Sequence, residues 1–241
     1  MVQITFIIPC YNYEKKILIS HNKILKFIKN NHIKANIIYI DDGSKDKTLD
    51  CLKSIKSKKI NILKNKFNLG KSSSIRKAIK KVKTKYVVLI DCDLPYFNFL
   101  KKVINEVKKN DFVTVNRKLN QSKDIEKNKN FYQNIRGFVS NFLGYIIEKK
   151  LDLEVFGDTQ AGLKAFRIDS ELKNYSFISK YYFLDIELIH FFKVKRKKIK
   201  LVPVKYKISK QSNIKIFSLN NFQVIYELIK VLTSIKSSLN S

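Results

Sequence analysis

Tyr86-Val87-Val88-Leu89-Ile90-Asp91-Cys92-Asp93 places five apolar residues directly before a pair of carboxylates. A short, continuously apolar run reads as a strand covered on both faces. Its end then delivers Asp91 and Asp93 to the loop beyond the core. Outward from this stretch the same grammar repeats. Residues 3–8 run apolar up to Pro9, Ala35–Ile40 is closed by Asp41-Asp42-Gly43-Ser44, Ile60–Lys64 is a third strand, and Phe112–Val115 follows as a fifth. Between them lie segments with helical spacing. Residues 14–30 carry Ile17, Ile24, Leu25 and Ile28. A helix opens at Asp46-Lys47-Thr48 and runs to about Lys56, another occupies 71–83 after the turn Asn68-Leu69-Gly70, and a further one 97–109.

Strand and helix in alternation predict an α/β fold, a mostly parallel sheet with helices on both faces. Ligands of such sheets bind at the carboxyl ends of the strands. The residues just past those ends are Pro9-Cys10-Tyr11-Asn12, Asp41-Asp42-Gly43-Ser44, Asp91-Cys92-Asp93 and Asn116-Arg117. They are polar and acidic in a chain that is otherwise strongly basic.

The 241 residues include 49 Lys+Arg against 20 Asp+Glu, a formal net charge of +29. Two readings of that excess stand side by side. It favours anionic partners such as phosphorylated substrates, lipid head groups or nucleic acid, or it reflects a compositional skew toward Lys, Ile and Asn. Only Arg76, Arg117, Arg136, Arg167 and Arg196 are arginines. Where a planar fork must grip phosphate, Lys is no substitute, so each of the five is informative. A hydrophobic fraction of 44% suits a sizeable core and excludes disorder; six Gly and three Pro exclude collagen-like and low-complexity chains. Cys10, Cys51 and Cys92 have neither zinc spacing nor the even count of a disulfide framework, which points to a reducing cytoplasm. A strand pattern from residue 2 onward leaves no room for a secretory leader, and no apolar stretch reaches the ~18 residues of a membrane span.

Beyond Arg117 the pattern changes. Residues 118–130 are polar and read as a mobile loop. Residues 131–150 are amphipathic through Phe131, Ile135, Phe138, Val139, Phe142, Leu143 and Ile146. Gly157–Phe166 reads as a turn and short strand, 183–192 as a helix, Ile199–Tyr206 as a strand, and 217–236 as a second amphipathic helix. The two amphipathic segments either lie on an anionic bilayer or simply cover the sheet. No internal repeat or linker divides the chain.

Two adjacent carboxylates repel unless a cation or proton joins them. Asp91-x-Asp93 at a strand end therefore suits Mg²⁺ or Mn²⁺ bridging a diphosphate, although a lone Asp-x-Asp is more often a solvated turn. Asp41 and Asp42 either cap a turn and helix entry or accept hydrogen bonds from a nucleobase N–H or a ribose hydroxyl.

Taken in order, Ile7-Ile8-Pro9-Cys10-Tyr11-Asn12, Ile40-Asp41-Asp42-Gly43-Ser44, Asn68-Leu69-Gly70-Lys71 and Leu89-Ile90-Asp91-Cys92-Asp93 resemble the inverting family 2 glycosyltransferases. Gly157-Asp158-Thr159-Gln160-Ala161-Gly162-Leu163-Lys164, Phe183-Leu184-Asp185-Ile186-Glu187-Leu188 and Val202-Pro203-Val204 are similar to segments of the dolichyl-phosphate and polyprenyl-phosphate glucosyl- and mannosyltransferases. The resemblance covers residues 3–206. It departs at Tyr13-Glu14, where the acid comes one residue late, and at Pro95, where some relatives carry Gln.

The resemblance implies a GT-A fold over 1–206, with 207–241 as a C-terminal amphipathic helical extension of the same domain. It implies a nucleotide-sugar donor of the UDP-glucose or GDP-mannose type and transfer of the hexose, with inversion, to a polyprenyl or dolichyl phosphate. The alternative acceptor is a soluble glycan or a cell-surface polysaccharide precursor. Pro9, Tyr11, Ile40, Asp41 and Asp42 would line the nucleobase and ribose pocket, with Lys71 and Cys92 also at the nucleotide-sugar. Asp91 and Asp93 would hold Mg²⁺ or Mn²⁺. Arg117 and Arg136 would face phosphate, Gln160 the sugar or acceptor phosphate, and Asp185 or Glu187 the reacting centre. An acceptor phosphate is already anionic, whereas an alcohol would need Glu187 or Asp185 as general base. The expected place is peripheral, on an anionic membrane at its cytoplasmic face. A nucleic-acid partner is not expected, since no RNA-recognition or helix-turn-helix pattern is present.

Overall fold

The computed structural model describes residues 3–119, 122–124, 144–145, 147–149, 158–206 and 220–237. Its strands are β1 (Gln3–Cys10), β2 (Lys34–Asp41), β3 (Ile60–Lys64), β4 (Tyr86–Ile90), β5 (Phe112–Asn116), β6 (Lys123–Asp124), β7 (Leu163–Arg167), β8 (Ile199–Pro203) and β9 (Lys205–Tyr206). Its helices are α1 (Ile17–Asn30), α2 (Thr48–Lys53), α3 (Lys71–Ile79), α4 (Leu100–Val107), α5 (Ser170–Asn174), α6 (Leu184–Val194) and α7 (Asn220–Ser237).

Seven strands form one sheet in the order β3-β2-β1-β4-β7-β5-β8, and β6 pairs with β9 separately. All strands of the large sheet run parallel except β7, which is antiparallel to both β4 and β5. The pleat sends alternate side chains to opposite faces, and both faces are apolar. Ile7, Val87, Leu89 and Phe166 pack with α3, α6 and α7 on one side; Phe6, Ile8, Val88, Ile90 and Ala165 pack with α1 and α4 on the other. This two-sided burial is why β4 reads as an unbroken apolar run and β1 as a nearly unbroken one. In α4, Leu100, Val103, Ile104 and Val107 form a single buried stripe at helical spacing.

Element limits depart from periodicity where polar groups intervene. β1 continues through Pro9 to Cys10, because Pro9 still registers with Ile40 on β2. Pairing of β1 with β4 has already ended at Ile7 opposite Leu89, so the missing N–H removes no bond from that ladder. α1 starts at Ile17 rather than residue 14, since Tyr13 donates its N–H to Thr48 Oγ1 at 2.6 Å while its carbonyl accepts from Lys16 and Ile17. Phe97–Phe99 is a 3-10 turn leading into α4. The expected strand 199–206 divides at Val204, whose N–H goes to Ser122 Oγ at 2.9 Å; β8 joins the large sheet and β9 the small one. Most of the amphipathic segment 131–150, including Arg136, and residues 207–219 lie outside the described residues.

Candidate active site

Because β1, β2, β4 and β5 are parallel, their carboxyl ends share one edge, and the antiparallel β7 begins there. The loops after β1 and β2 are zipped together. Asn12 N–H donates to Ser44 Oγ at 2.9 Å, Lys45 N–H to Asn12 Oδ1 at 2.8 Å, and Lys47 N–H to Glu14 Oε2 at 2.8 Å. Glu14, one residue late against the family pattern, is thus used between loops. Tyr11 stands 41% exposed at this edge, while Ile40 is wholly buried.

Asp41 and Asp42 part ways. Asp42 is buried and anchors the following loop: Oδ1 accepts from Asn65 Nδ2 at 2.8 Å and Leu69 N–H at 2.9 Å, and Oδ2 from Gly70 N–H at 2.9 Å. Its carboxylate thereby fixes the loop that leads into α3. The Asp41 carboxylate accepts only the long Ser44 N–H bond among the contacts described, 3.3 Å to Oδ1 and 3.4 Å to Oδ2, while its carbonyl takes the Asn65 N–H at 2.9 Å.

At the end of β4, Lys71 Nζ lies 2.6 Å from Asp91 Oδ1. Lys71 is the first residue of α3, so the Asp42-anchored turn at Gly70 aims it. Burial alone would lower the Lys71 ammonium, but Asp91 and Asp185 outweigh it and hold the group above its usual value. The Asp93 carboxyl is pushed up, first by desolvation and then by the Asp91 charge. Two carboxylates this close repel unless a positive charge joins them, and of the two only Asp91 is paired among the described residues, with Lys71. Among the described residues no cluster of three or more His, Cys, Asp or Glu is gathered. Mg²⁺-type sites commonly use one or two carboxylates and take their other oxygens from substrate phosphates and water, and Asp91 with Asp93 fits that description.

Behind the acids, a Cβ on Gly162 would stand 2.5 Å from Asp91 Oδ2 and 2.7 Å from Pro95 Cγ. Gly162 also accepts the Asp91 N–H through its carbonyl, at 3.1 Å. Cys92 and Cys10 are buried with their sulfurs 3.5 Å apart, and the Cys10 thiol is raised by its hydrogen bond to Cys92 and by burial.

Arg117 closes on Asp158. Nε donates to Oδ2 at 2.7 Å, Nη2 to Oδ1 at 2.6 Å, and the Arg117 N–H to Oδ2 at 2.9 Å. Asp158 is buried, which would raise its carboxyl, but the arginine holds it below the usual value. This pair ties the end of β5 to the segment entering β7. Gln160 in that segment is exposed, as suits contact with a ligand rather than a core amide.

The two acids of α6 diverge. Asp185 faces the site side, with Oδ1 3.2 Å from the ammonium of Lys164, itself 1% exposed and donating to the Ala161 carbonyl. Glu187, about 200° further round the helix, is buried against the scaffold and accepts from Ile178 N–H at 2.6 Å and Ser179 N–H at 2.9 Å. Burial raises its carboxyl despite those bonds. Sequence reasoning passed over Lys164, Gly162, Asn65 and Glu227. Two of them had a legible signal: a lysine inside an apolar strand, and an acid on the apolar stripe of the last helix.

A family model described as Glycosyl transferase family 2 matches residues 5–171. The Dolichyl-phosphate beta-glucosyltransferase of Dictyostelium discoideum is 29% identical over 182 residues, covering 68% of this chain and 54% of that protein. Its namesake in Saccharomyces cerevisiae is 26% identical over 223 residues, covering 84% and 66%. The chain thus spans about half the length of the first of these relatives. A crystal structure of glucosyl-3-phosphoglycerate synthase from Mycobacterium tuberculosis, in complex with Mn²⁺, UDP-glucose and phosphoglyceric acid, matches with a TM-score of 0.66 at 17% identity, covering 96% of this chain and 80% of that one. That likeness is one of fold.

Proposed function

The chain belongs to glycosyl transferase family 2 and has the GT-A fold, and from that premise we propose that it transfers a hexose from a nucleotide-sugar to a polyprenyl or dolichyl phosphate, with inversion. The observation that carries the acceptor class is the state of the two α6 acids. Asp185 is committed to the buried Lys164, and Glu187 to two backbone N–H groups. Neither is well placed to take a proton from an alcohol. An acceptor phosphate is ionised already, so its oxygen can attack the sugar C1 without a base. The new C1–O bond forms as the C1–O bond to the diphosphate breaks, on the opposite face of the sugar.

The residues then have to position and neutralise. Asp91 and Asp93 would hold the divalent cation, which when bound stabilises the departing diphosphate. Lys71 pairs with Asp91 and supplies positive charge on the same rim. Arg117, held in place by Asp158, brings a guanidinium to the end of β5, and Gln160, two residues beyond Asp158, is exposed. Pro9, Tyr11 and Asp41 line the place for base and ribose, with Asp42 fixing the loop that leads into α3.

The C-terminal helix supports a membrane-bound acceptor. Leu228, Val231, Leu232 and Ile235 are buried against the core, so α7 does cover the sheet. Its outer face nevertheless shows Ile225 at 54%, Tyr226 at 68% and Ile229 at 56% exposure, beside the exposed Lys230. An apolar face flanked by lysine suits the surface of an anionic bilayer, here its cytoplasmic leaflet. Among the described residues no helix is long and apolar enough to cross a membrane. A second reading keeps the donor and replaces the lipid phosphate by a soluble glycan or a cell-surface polysaccharide precursor. The M. tuberculosis neighbour was crystallised with phosphoglyceric acid, a soluble molecule with a free hydroxyl; an alcohol acceptor of that kind would need Asp185 or Glu187 to leave its present partners and act as general base.

The test offers radiolabelled UDP-glucose and GDP-mannose, with Mn²⁺, to protein mixed with anionic vesicles containing polyprenyl phosphate. Label extracted into the organic phase, and protein sedimenting with the vesicles, are the expected results. Asp93→Ala should lower transfer by about a hundredfold or more. Label found only in water-soluble product would favour the second reading, and donor hydrolysis alone would contradict both.

A further inference from the structure

Glu227 lies on the buried side of α7 and is 6% exposed. Its carboxylate collects four donors from one loop. Oε1 accepts from Ser179 Oγ at 2.8 Å, from Tyr181 N–H at 2.7 Å and from Lys180 N–H; Oε2 accepts from Tyr182 N–H at 3.3 Å. A buried carboxylate is tolerated only when it is satisfied in this way, and only one loop conformation offers all four donors.

The other side of the same loop faces the start of α3. The Tyr181 carbonyl accepts from Ser72 N–H at 3.2 Å, and the Lys180 carbonyl from Ser73 N–H at 2.9 Å and Ser73 Oγ at 3.2 Å. Ser72 Oγ, 2.9 Å from Ser179 Oγ, also accepts Leu184 N–H at 3.2 Å. Gly70, at φ +94°, is so close that a Cβ would meet the Lys180 carbonyl at 2.5 Å. The first turn of α3 is therefore clamped between Asp42 on one side and the Glu227-held loop on the other. Lys71 projects from that turn to Asp91.

We propose that Glu227 is a positioning residue for Lys71, setting donor affinity from the far end of the chain. This rests on the reading of Lys71 as part of the donor site. A carboxylate that merely pinned α7 to the core would affect stability alone. One that positions Lys71 affects nucleotide binding, and only while Lys71 is present. Glu227→Gln preserves shape but turns an amide NH₂ toward backbone N–H donors, so the loop loses its single solution.

The test measures, by calorimetry on the full chain, the affinity for UDP and GDP with Mn²⁺ in four proteins: wild type, Glu227→Gln, Lys71→Met and the double variant, with a thermal melt of each. Glu227→Gln should weaken nucleotide binding about tenfold in the wild-type background and have no further effect in Lys71→Met. Unchanged affinity in Glu227→Gln, or equal losses in both backgrounds, would overturn the proposal. If wild type binds neither nucleotide, the donor reading itself fails and takes this inference with it. Should Glu227→Gln not fold, Ser179→Ala removes the hydroxyl between Ser72 and Glu227. The same loss confined to the Lys71 background is then expected, and its absence overturns the proposal.

Discussion

Arg117 and Asp158 show how a single pair can serve both fold and site. Asp158 has side-chain exposure of 2% and Arg117 of 33%, so the carboxylate depends on the arginine more than the reverse. The folded carboxyl sits below its ordinary value of 3.8. A depressed acid contributes stability that is fully present above the unfolded value and lost as pH falls through the folded one. Arg117→Ala should therefore cost about 2–4 kcal/mol at pH 7, and the gap to wild type should shrink below about pH 4. Urea denaturation at pH 7 and pH 3 measures both; an equal gap at the two values would contradict this account of the pair. The α6 acids teach a different lesson at the same scale. Asp185 and Glu187 are equivalent candidates in the sequence, because nothing local says which side of α6 meets the sheet edge. Packing decides it, and Lys164, fully buried in β7, marks the side that faces the site.

Among the elements, the parallel core was legible because strands buried on both faces are almost wholly apolar, without interruption in 86–90 and with only Gln3, Thr5 and Asn36 breaking 3–8 and 35–40. The direction of β7 was not, since an isolated five-residue strand looks the same in either sense. That direction matters: it brings the segment 158–162 to the same edge as Asp91. Gly162 is the point of closest approach, and its lack of a Cβ is what lets the Asp91 carboxylate lie where it does. Gly162→Ala should displace that carboxylate and the Pro95 turn together, weakening Mn²⁺-dependent nucleotide binding by about tenfold or more while leaving a cooperative melt. Titration of UDP with Mn²⁺ checks it, and wild-type affinity in the variant would show that the Asp91 position is unimportant. Asp42 was legible as a site residue but not in its role, because three of its partners lie 23 to 28 positions further along the chain.

For the molecule as a whole, the net charge of +29 is not concentrated at the strand edge. There Lys71 faces Asp91, Arg117 faces Asp158 and Lys164 faces Asp185. The surplus is carried by lysines elsewhere, which suits long-range attraction to an anionic surface more than the chemistry of transfer. The account as a whole turns on Asp91, Asp93 and Lys71 as the seat of a nucleotide diphosphate and its cation. A crystal structure of the protein soaked with Mn²⁺ and UDP or GDP tests it most directly. The account predicts the cation against Asp91 and Asp93, the diphosphate within reach of Lys71, and the base between Tyr11 and Asp41; a nucleotide bound away from that edge, with Asp91 still paired to Lys71, would contradict it.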